Sequence, residues 1–216
     1  MSLPARLDHL VLATDDLEST VDEFERATGI RPAPGGRHEG RGTRNHLVGL
    51  GSTAYLEIIG PDPTQPPLEP GIAPFGLDEL RGSRLATWAV HPDDLEAAVA
   101  AARSAGADLG EIKPMTRQTP AGDVLRWRLA STHPAPFDGV VPFVIDWGTT
   151  RHPAASGLPE VALLAFSATH PEPDRVRAAL EALGVTLSVS EGPQSLTATF
   201  SGPNGVYLSG GPGSGR

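Results

Sequence analysis

The sequence predicts an α+β fold built from repeated strand, helix and three-strand (βαβββ) modules, and three observations carry the prediction. LDHLVLATDDLE, beginning at Leu7, returns 78 positions later as LATWAVHPDDLE, beginning at Leu85. Each copy opens on an apolar strand and runs through an Asp-Asp pair into a helix-patterned stretch. A third passage, starting near Val161, repeats the order of elements, and its His170-Pro171 matches His91-Pro92. Self-similarity of this kind marks a duplicated supersecondary unit, so the first two modules are expected to pair and the third to follow them.

The elements can be justified in order. Residues 7–12 alternate as an apolar strand, and Thr14-Asp15-Asp16 supplies the N-cap for a helix on which Leu17, Val21 and Phe24 share a face and which Gly29 ends. A Gly-rich passage leads to NHLVGLG and TAYLEIIG, two strands meeting at the Gly51-Ser52 turn. In the second unit LATWAV is the strand and DDLEAAVAAARSAG an Ala-rich helix. EIKPMTRQ, DVLRWRLA and PFVIDWG follow as strands separated by Pro, Gly and Asp turns. VALLAFSAT, HPEPDRVRAALEALG, VTLSVS, SLTATF and VYLSG complete the third unit. These runs place modules at 5–60 and 84–149, a Pro-rich linker at 61–83, a third unit at 156–210 and a mobile tail at 211–216. The linker could be a plain connection or a lid over the site.

Composition narrows the function. Twenty-six acidic against 17 basic residues give a formal charge of −9, the wrong sign for a nucleic-acid partner. The absence of cysteine excludes disulfides, thiolate metal sites and cysteine nucleophiles. Lys113 is the only lysine, which leaves little room for Schiff-base chemistry. With no apolar run of signal-peptide or membrane-span length, a cytoplasmic protein without a membrane partner is expected.

Two isolated polar residues on apolar strands stand out. His9 shares a face with Leu7 and Val11, and Glu57 with Tyr55 and Ile59. Burying such groups is costly unless they are hydrogen-bonded, ion-paired or metal-bound; a mutually satisfied pair and a divalent-cation site both answer that cost. Between them the Gly-rich GGRHEGRGTRN passage carries His38, Thr43 and Asn45, in a spacing that fits no phosphate-binding loop. The reading is either a ligand-approaching loop or a hairpin with polar tips. His46 and the four histidines before proline, His91, His133, His152 and His170, read as structural or loop-entry residues. In DVLRWRLA, Trp127 takes one face and Arg126 and Arg128 the other, so Arg128 either clamps a substrate or is solvated at an edge. In PFVIDWG either Asp146 or Ile145 stands where Glu57 stands in the first module; a one-residue slip reverses the face.

At these residues the chain resembles the vicinal oxygen chelate superfamily, which includes glyoxalase I, extradiol dioxygenases and bleomycin-resistance proteins. Asp8-His9 followed by Tyr55-Leu56-Glu57 is similar to that superfamily's first metal-ligand pair. Gly35-Gly36, His38, Gly42-Thr43, Asn45, Tyr55-Leu56-Glu57, Trp127, Pro142-Phe143, Asp146-Trp147 and His152-Pro153 together look like its glyoxalase-like domain branch, over roughly residues 6 to 155. The resemblance implies two βαβββ modules forming a cup-shaped curved sheet with a ligand in the concavity. It implies a divalent metal (Mn, Fe, Co, Ni or Zn) with His9 and Glu57 as ligands, although Thr87 replaces the second module's histidine. In catalysis it implies Glu57 and His38 as the acid–base pair, with Thr43, Asn45, Trp127, Arg128 and Asp146 against the substrate. The expected activity is that of a lyase, isomerase or dioxygenase on a small oxygen-rich molecule. The alternative is a non-catalytic sequestering protein of the bleomycin-resistance type, holding its ligand against Trp88, Trp127 and Trp147. The unpaired third unit is expected at the outer edge of the cup or in a homodimer.

Overall fold

The computed structural model describes residues 4–66, 73–119 and 121–210. The proposed tail at 211–216 and part of the linker lie outside the described residues. The first module runs β1 (Leu7–Thr14), α1 (Leu17–Thr28), β2 (Ala33–His38), β3 (Thr43–Gly49) and β4 (Tyr55–Pro61), and the second β5 (Ser83–Val90), α2 (Leu95–Ser104), β6 (Ile112–Gln118), β7 (Val124–Ala130) and β8 (Phe143–Asp146). The repeated Asp-Asp motif has the same job twice. Asp16 accepts a hydrogen bond from the Ser19 amide and Asp94 from the Ala97 amide, each capping its helix.

The repeat also fixes how the modules meet. β1 and β5 pair antiparallel with Leu10 opposite Trp88, His9 opposite Ala89 and Val11 opposite Thr87. Because Leu10 and Trp88 are themselves equivalent in the repeat, the pairing is self-complementary, and an approximate two-fold axis passes between them.

The expected open cup is corrected by the strand order. The eight strands form a closed barrel, β1-β4-β3-β2-β6-β7-β8-β5, with β5 returning to β1. Each module makes a four-stranded sheet whose far strand, β2 or β6, would be an unpaired edge in a cup, and pairing those edges removes the liability. The seam is narrow, Arg37 opposite Gln118. It depends on Gly36, at φ +143°, where a Cβ would lie 2.1 Å from the Gln118 carbonyl oxygen.

The third unit is β9 (Ala162–His170), α3 (Pro173–Ala182), β10 (Ser188–Glu191), β11 (Ser195–Gly202) and β12 (Gly205–Ser209), in the predicted succession. Its sheet order is β10-β9-β11-β12, so its first strand is flanked by its second and third rather than by its last, as in the barrel modules. With no barrel edge to extend, it covers the outer surface. Phe200 and Tyr207 pack on Phe24 of α1, and Phe166 packs edge-on against Trp88. Trp88 is fully buried there, its indole N–H donating to the Val140 carbonyl at 2.8 Å. Among the described residues no helix is long and apolar enough to cross a membrane.

Candidate functional site

Alternation along the strands sorts the candidate residues between the inside and outside of the barrel. Asn45, Leu47 and Glu57 lie on one face of the β3–β4 pair, with Leu47 opposite Glu57. Val11, Ile59, Phe143 and Ile145 form an apolar cluster against which Trp127, Leu129 and Trp147 pack. The first module thus contributes Asn45 and Glu57 beside an apolar cluster drawn from both modules.

A β-bulge at Asp8, between Leu7 and His9 in the pairing with β5, turns two consecutive side chains toward each other. Asp8 is fully buried, and its Oδ1 accepts from His9 Nδ1 at 2.6 Å. Its Oδ2 accepts from Trp147 Nε1 at 3.0 Å and His152 Nε2 at 3.1 Å, with His91 Nδ1 at 3.5 Å. The Ala154 amide donates to His152 Nδ1, which leaves Nε2 to carry the proton toward Asp8. Burial alone would raise the Asp8 pKa; the hydrogen bonds from His152, His9 and His91 outweigh it and hold the carboxyl well below its usual range. The ring of His9 is further fixed by stacking on Tyr55, with centroids 4.7 Å apart.

With Nδ1 donating to Asp8, His9 presents Nε2 to the barrel, 3.7 Å from Glu57 Oε2. The other Glu57 oxygen accepts from the Asn45 amide at 2.5 Å, and His38 Nε2 stands 3.9 Å from it. His38 Nδ1 lies 2.9 Å from the Thr43 hydroxyl. Burial pushes the His38 pKa down to about 4, with the charges of Arg117 and Arg41 adding to the effect and Glu57 opposing it, so this ring is neutral at pH 7. His9, His38, Thr43, Asn45 and Glu57 therefore converge on one region. The gaps at both ends of Glu57 exceed hydrogen-bond length, and the Asn45 Oδ1 and Trp127 Nε1 atoms are buried without a partner.

Two expected residues lie elsewhere. Arg128, opposite Asp146 across β7–β8, donates to Asp146 Oδ2 at 2.7 Å and to Glu96 of α2 at 2.7 Å, on the outside of the barrel. Trp88 is also outside, under the third sheet. Sequence reasoning had set aside His91 and His152 as loop residues and passed over Arg117, which is buried on β6. The signals for His152 are its place after the WGTT segment and the His152-Pro153 pair among the branch motifs; Arg117 gives none, since its strand reads as polar.

The second module's counterpart of Glu57 is neither Ile145 nor Asp146. Val11 pairs with Glu57, and Ala89, its equivalent, pairs with Phe143. Phe143 packs edge-on to His9 with centroids 5.4 Å apart. A metal held by two ligands from each module thus meets Thr87 and Phe143 on one side. Among the described residues no group of three or more His, Cys, Asp or Glu could hold a metal ion. The residues present do not fit the metal that the superfamily resemblance implies.

The model of a family described as "Glyoxalase-like domain" matches residues 7–184. No curated protein matches the sequence. Among solved structures, a hypothetical protein from Staphylococcus aureus is 16% identical, with 96% of this chain and 85% of that one covered and a TM-score of 0.61. Methylmalonyl-CoA epimerase from Mycobacterium tuberculosis is 23% identical over 67% of this chain and 88% of that one, with a TM-score of 0.40. A mutant of 4-hydroxymandelate synthase from Streptomyces coelicolor is 14% identical over 96% and 63%, with a TM-score of 0.49.

Proposed function

This chain belongs to the glyoxalase-like domain family, and on that premise we propose that its barrel binds a small oxygen-rich molecule and moves a proton on it without a metal, as an isomerase or lyase. The observation that supports this most is Glu57. One of its oxygens is gripped by Asn45, while the other faces the free nitrogen of an Asp8-backed His9 across 3.7 Å. Two groups able to take or return a proton thus flank one spot, as removing a proton from one position and delivering it to another requires.

In this reading Glu57 Oε2 removes the proton from a carbon next to a carbonyl, and the C–H electron pair moves into an enolate. The neutral His38, with Thr43 hydrogen-bonded to its Nδ1, donates from Nε2 to the enolate oxygen, a role suited to a ring that stays uncharged. Glu57 returns the proton to the carbon, or passes it to His9 Nε2, which delivers it while Asp8 accepts from Nδ1. Thr43 and Asn45 position the acid and the base, and Trp127 forms the apolar wall.

Hydrogen–deuterium exchange at carbons next to a carbonyl tests the reading, followed by NMR on a set of small hydroxyketones and keto acids in heavy water. The expected result is protein-catalysed exchange on at least one of them that falls by about 100-fold or more in Glu57→Gln. A compound that raises the melting temperature yet exchanges no hydrogen would turn the case to the sequestering alternative.

A further inference from the structure

We propose that Arg117 is the anion-recognition element of this barrel, and that the molecule it takes carries a carboxylate seated between Arg117, Asn45 and Trp127. The inference rests on the proton-transfer reading for where the ligand lies, and it adds the ligand's chemical class.

Arg117 sits in β6, two residues from Met115, which pairs with Trp127. It is only 5% exposed. Its guanidinium donates to the Gly35 carbonyl, and none of the ion pairs among the described residues includes it. A buried guanidinium with no carboxylate in direct contact is costly, and Glu57, which shares its site, is held by Asn45 instead. Exposed arginines show the contrast: Arg31 and Arg128 pair with carboxylates at the surface, and Arg37 reaches in from the surface to the buried Asp62.

The sequence makes room for this cation. A Cβ on Gly35 would lie 2.4 Å from Asn45 Oδ1 and 3.1 Å from Arg117 Nη1, so only glycine lets both groups approach the chain there. Two buried polar atoms have no partner here: Asn45 Oδ1, beside the same Gly35 position as Arg117 Nη1, and the indole N–H of Trp127, whose strand partner Met115 is two residues from Arg117. A carboxylate accepts from the guanidinium and the indole together; a hydroxyl on the same ligand donates to Asn45 Oδ1. The charge also reaches the rest of the site: burial is the main cause of the lowered His38 pKa, and Arg117 adds to it. A carboxylate on Arg117 brings the adjoining carbon toward Glu57, so the charge that binds the ligand also favours an enolate beside it.

Thermal unfolding of the full chain tests the proposal, with acetate, oxalate, malonate and succinate as probes at matched ionic strength and acetamide and malonamide as neutral controls. At least one acid is expected to raise Tm by roughly 2–4 °C in the wild type, the amides by nothing, and the shift is expected to vanish in Arg117→Met. If Arg117→Met does not fold, Arg117→Lys and Trp127→Phe carry the test, each expected to reduce the shift by half or more. The proposal is overturned if no acid shifts the wild type, if the amides act equally, or if the variants keep the full shift. Glu57→Gln separates the two readings: it should keep the carboxylate shift while losing proton exchange, so either can fail without the other.

Discussion

Phe143 occupies in the second module the place that Glu57 occupies in the first: it pairs with Ala89 as Glu57 pairs with Val11, the residue equivalent to Ala89 in the repeat. The approximate two-fold axis between Leu10 and Trp88 therefore relates Glu57 to Phe143 and His9 to Thr87. If the missing ligands are what excludes a metal, restoring them should admit one. The double variant Thr87→His, Phe143→Glu is expected to bind about one divalent ion, seen by elemental analysis and as a cation-dependent rise in Tm, while the wild type shows neither. Without metal the variant should be less stable by about 2–4 kcal/mol, because Phe143 is 8% exposed and a carboxylate replaces its packing.

Closure of the barrel puts a different residue at risk. Gly36 lies where β2 meets β6, at φ +143°, with the Gln118 carbonyl in the path of any Cβ. Gly36→Ala is expected to cost about 2 kcal/mol or more and to open the seam. Amide hydrogen exchange should show the loss of protection concentrated in β2 and β6, with β1 and β5 unaffected. Uniform loss along all eight strands would contradict a local role for this glycine.

Which of these features could be read from the sequence follows from the range of the interactions involved. The repeated Asp-Asp motif, the Asp16 cap and the strand runs that open each module are legible patterns, and the structure has them where the sequence places them, while Asp94, read as part of its helix, caps it instead. His9 and Glu57 were legible because each breaks an apolar alternation. The closed barrel was not, since it rests on one narrow contact between β2 and β6, whose strands, rich in Gly and polar residues, carry little apolar pattern. The counterpart of Glu57 falls at Phe143 rather than at Ile145 or Asp146 because the loop between β7 and β8 is longer than its first-module counterpart, so sequence offset and structural equivalence separate. Arg128 and Asp146 looked like site residues only while the outward face of β7 could not be told from the inward one.

Asp8 ties the histidines together, and its removal has a signed pH signature. A carboxyl held well below its usual range contributes stability that is present above its unfolded pKa near 3.8 and lost as pH falls through the folded value. His91 behaves oppositely. Its pKa is raised, first by the hydrogen bond to Asp8, so its contribution is present below about 6.5 and lost as pH rises through the folded value. Asp8→Asn is expected to cost about 3 kcal/mol at neutral pH, since it uncouples His9, His152 and Trp147 from a buried charge. It should also flatten both limbs of the stability–pH curve measured by urea unfolding. In the exchange assay it should depress turnover more than binding, because His9 loses the acceptor that fixes its tautomer and its ring orientation.

His38 gives the sharpest pH test of the site. Its pKa falls from 6.5 to about 4, chiefly because it is buried. The unfolded chain therefore takes up a proton at this position between pH 6.5 and 4 that the folded chain refuses. Stability should fall with pH across that window, by about 3 kcal/mol at its lower end, the worth of 2.5 pKa units. His38→Gln should remove that slope, leaving the steeper acid loss due to Asp8 in place. In the wild type the His38 ring resonances should stay at neutral-imidazole shifts from pH 8 to 5, and the exchange reaction should show no inflection from this residue in that range. A His38 resonance titrating near 6.5 would remove the physical basis for a neutral hydrogen-bond donor beside Glu57.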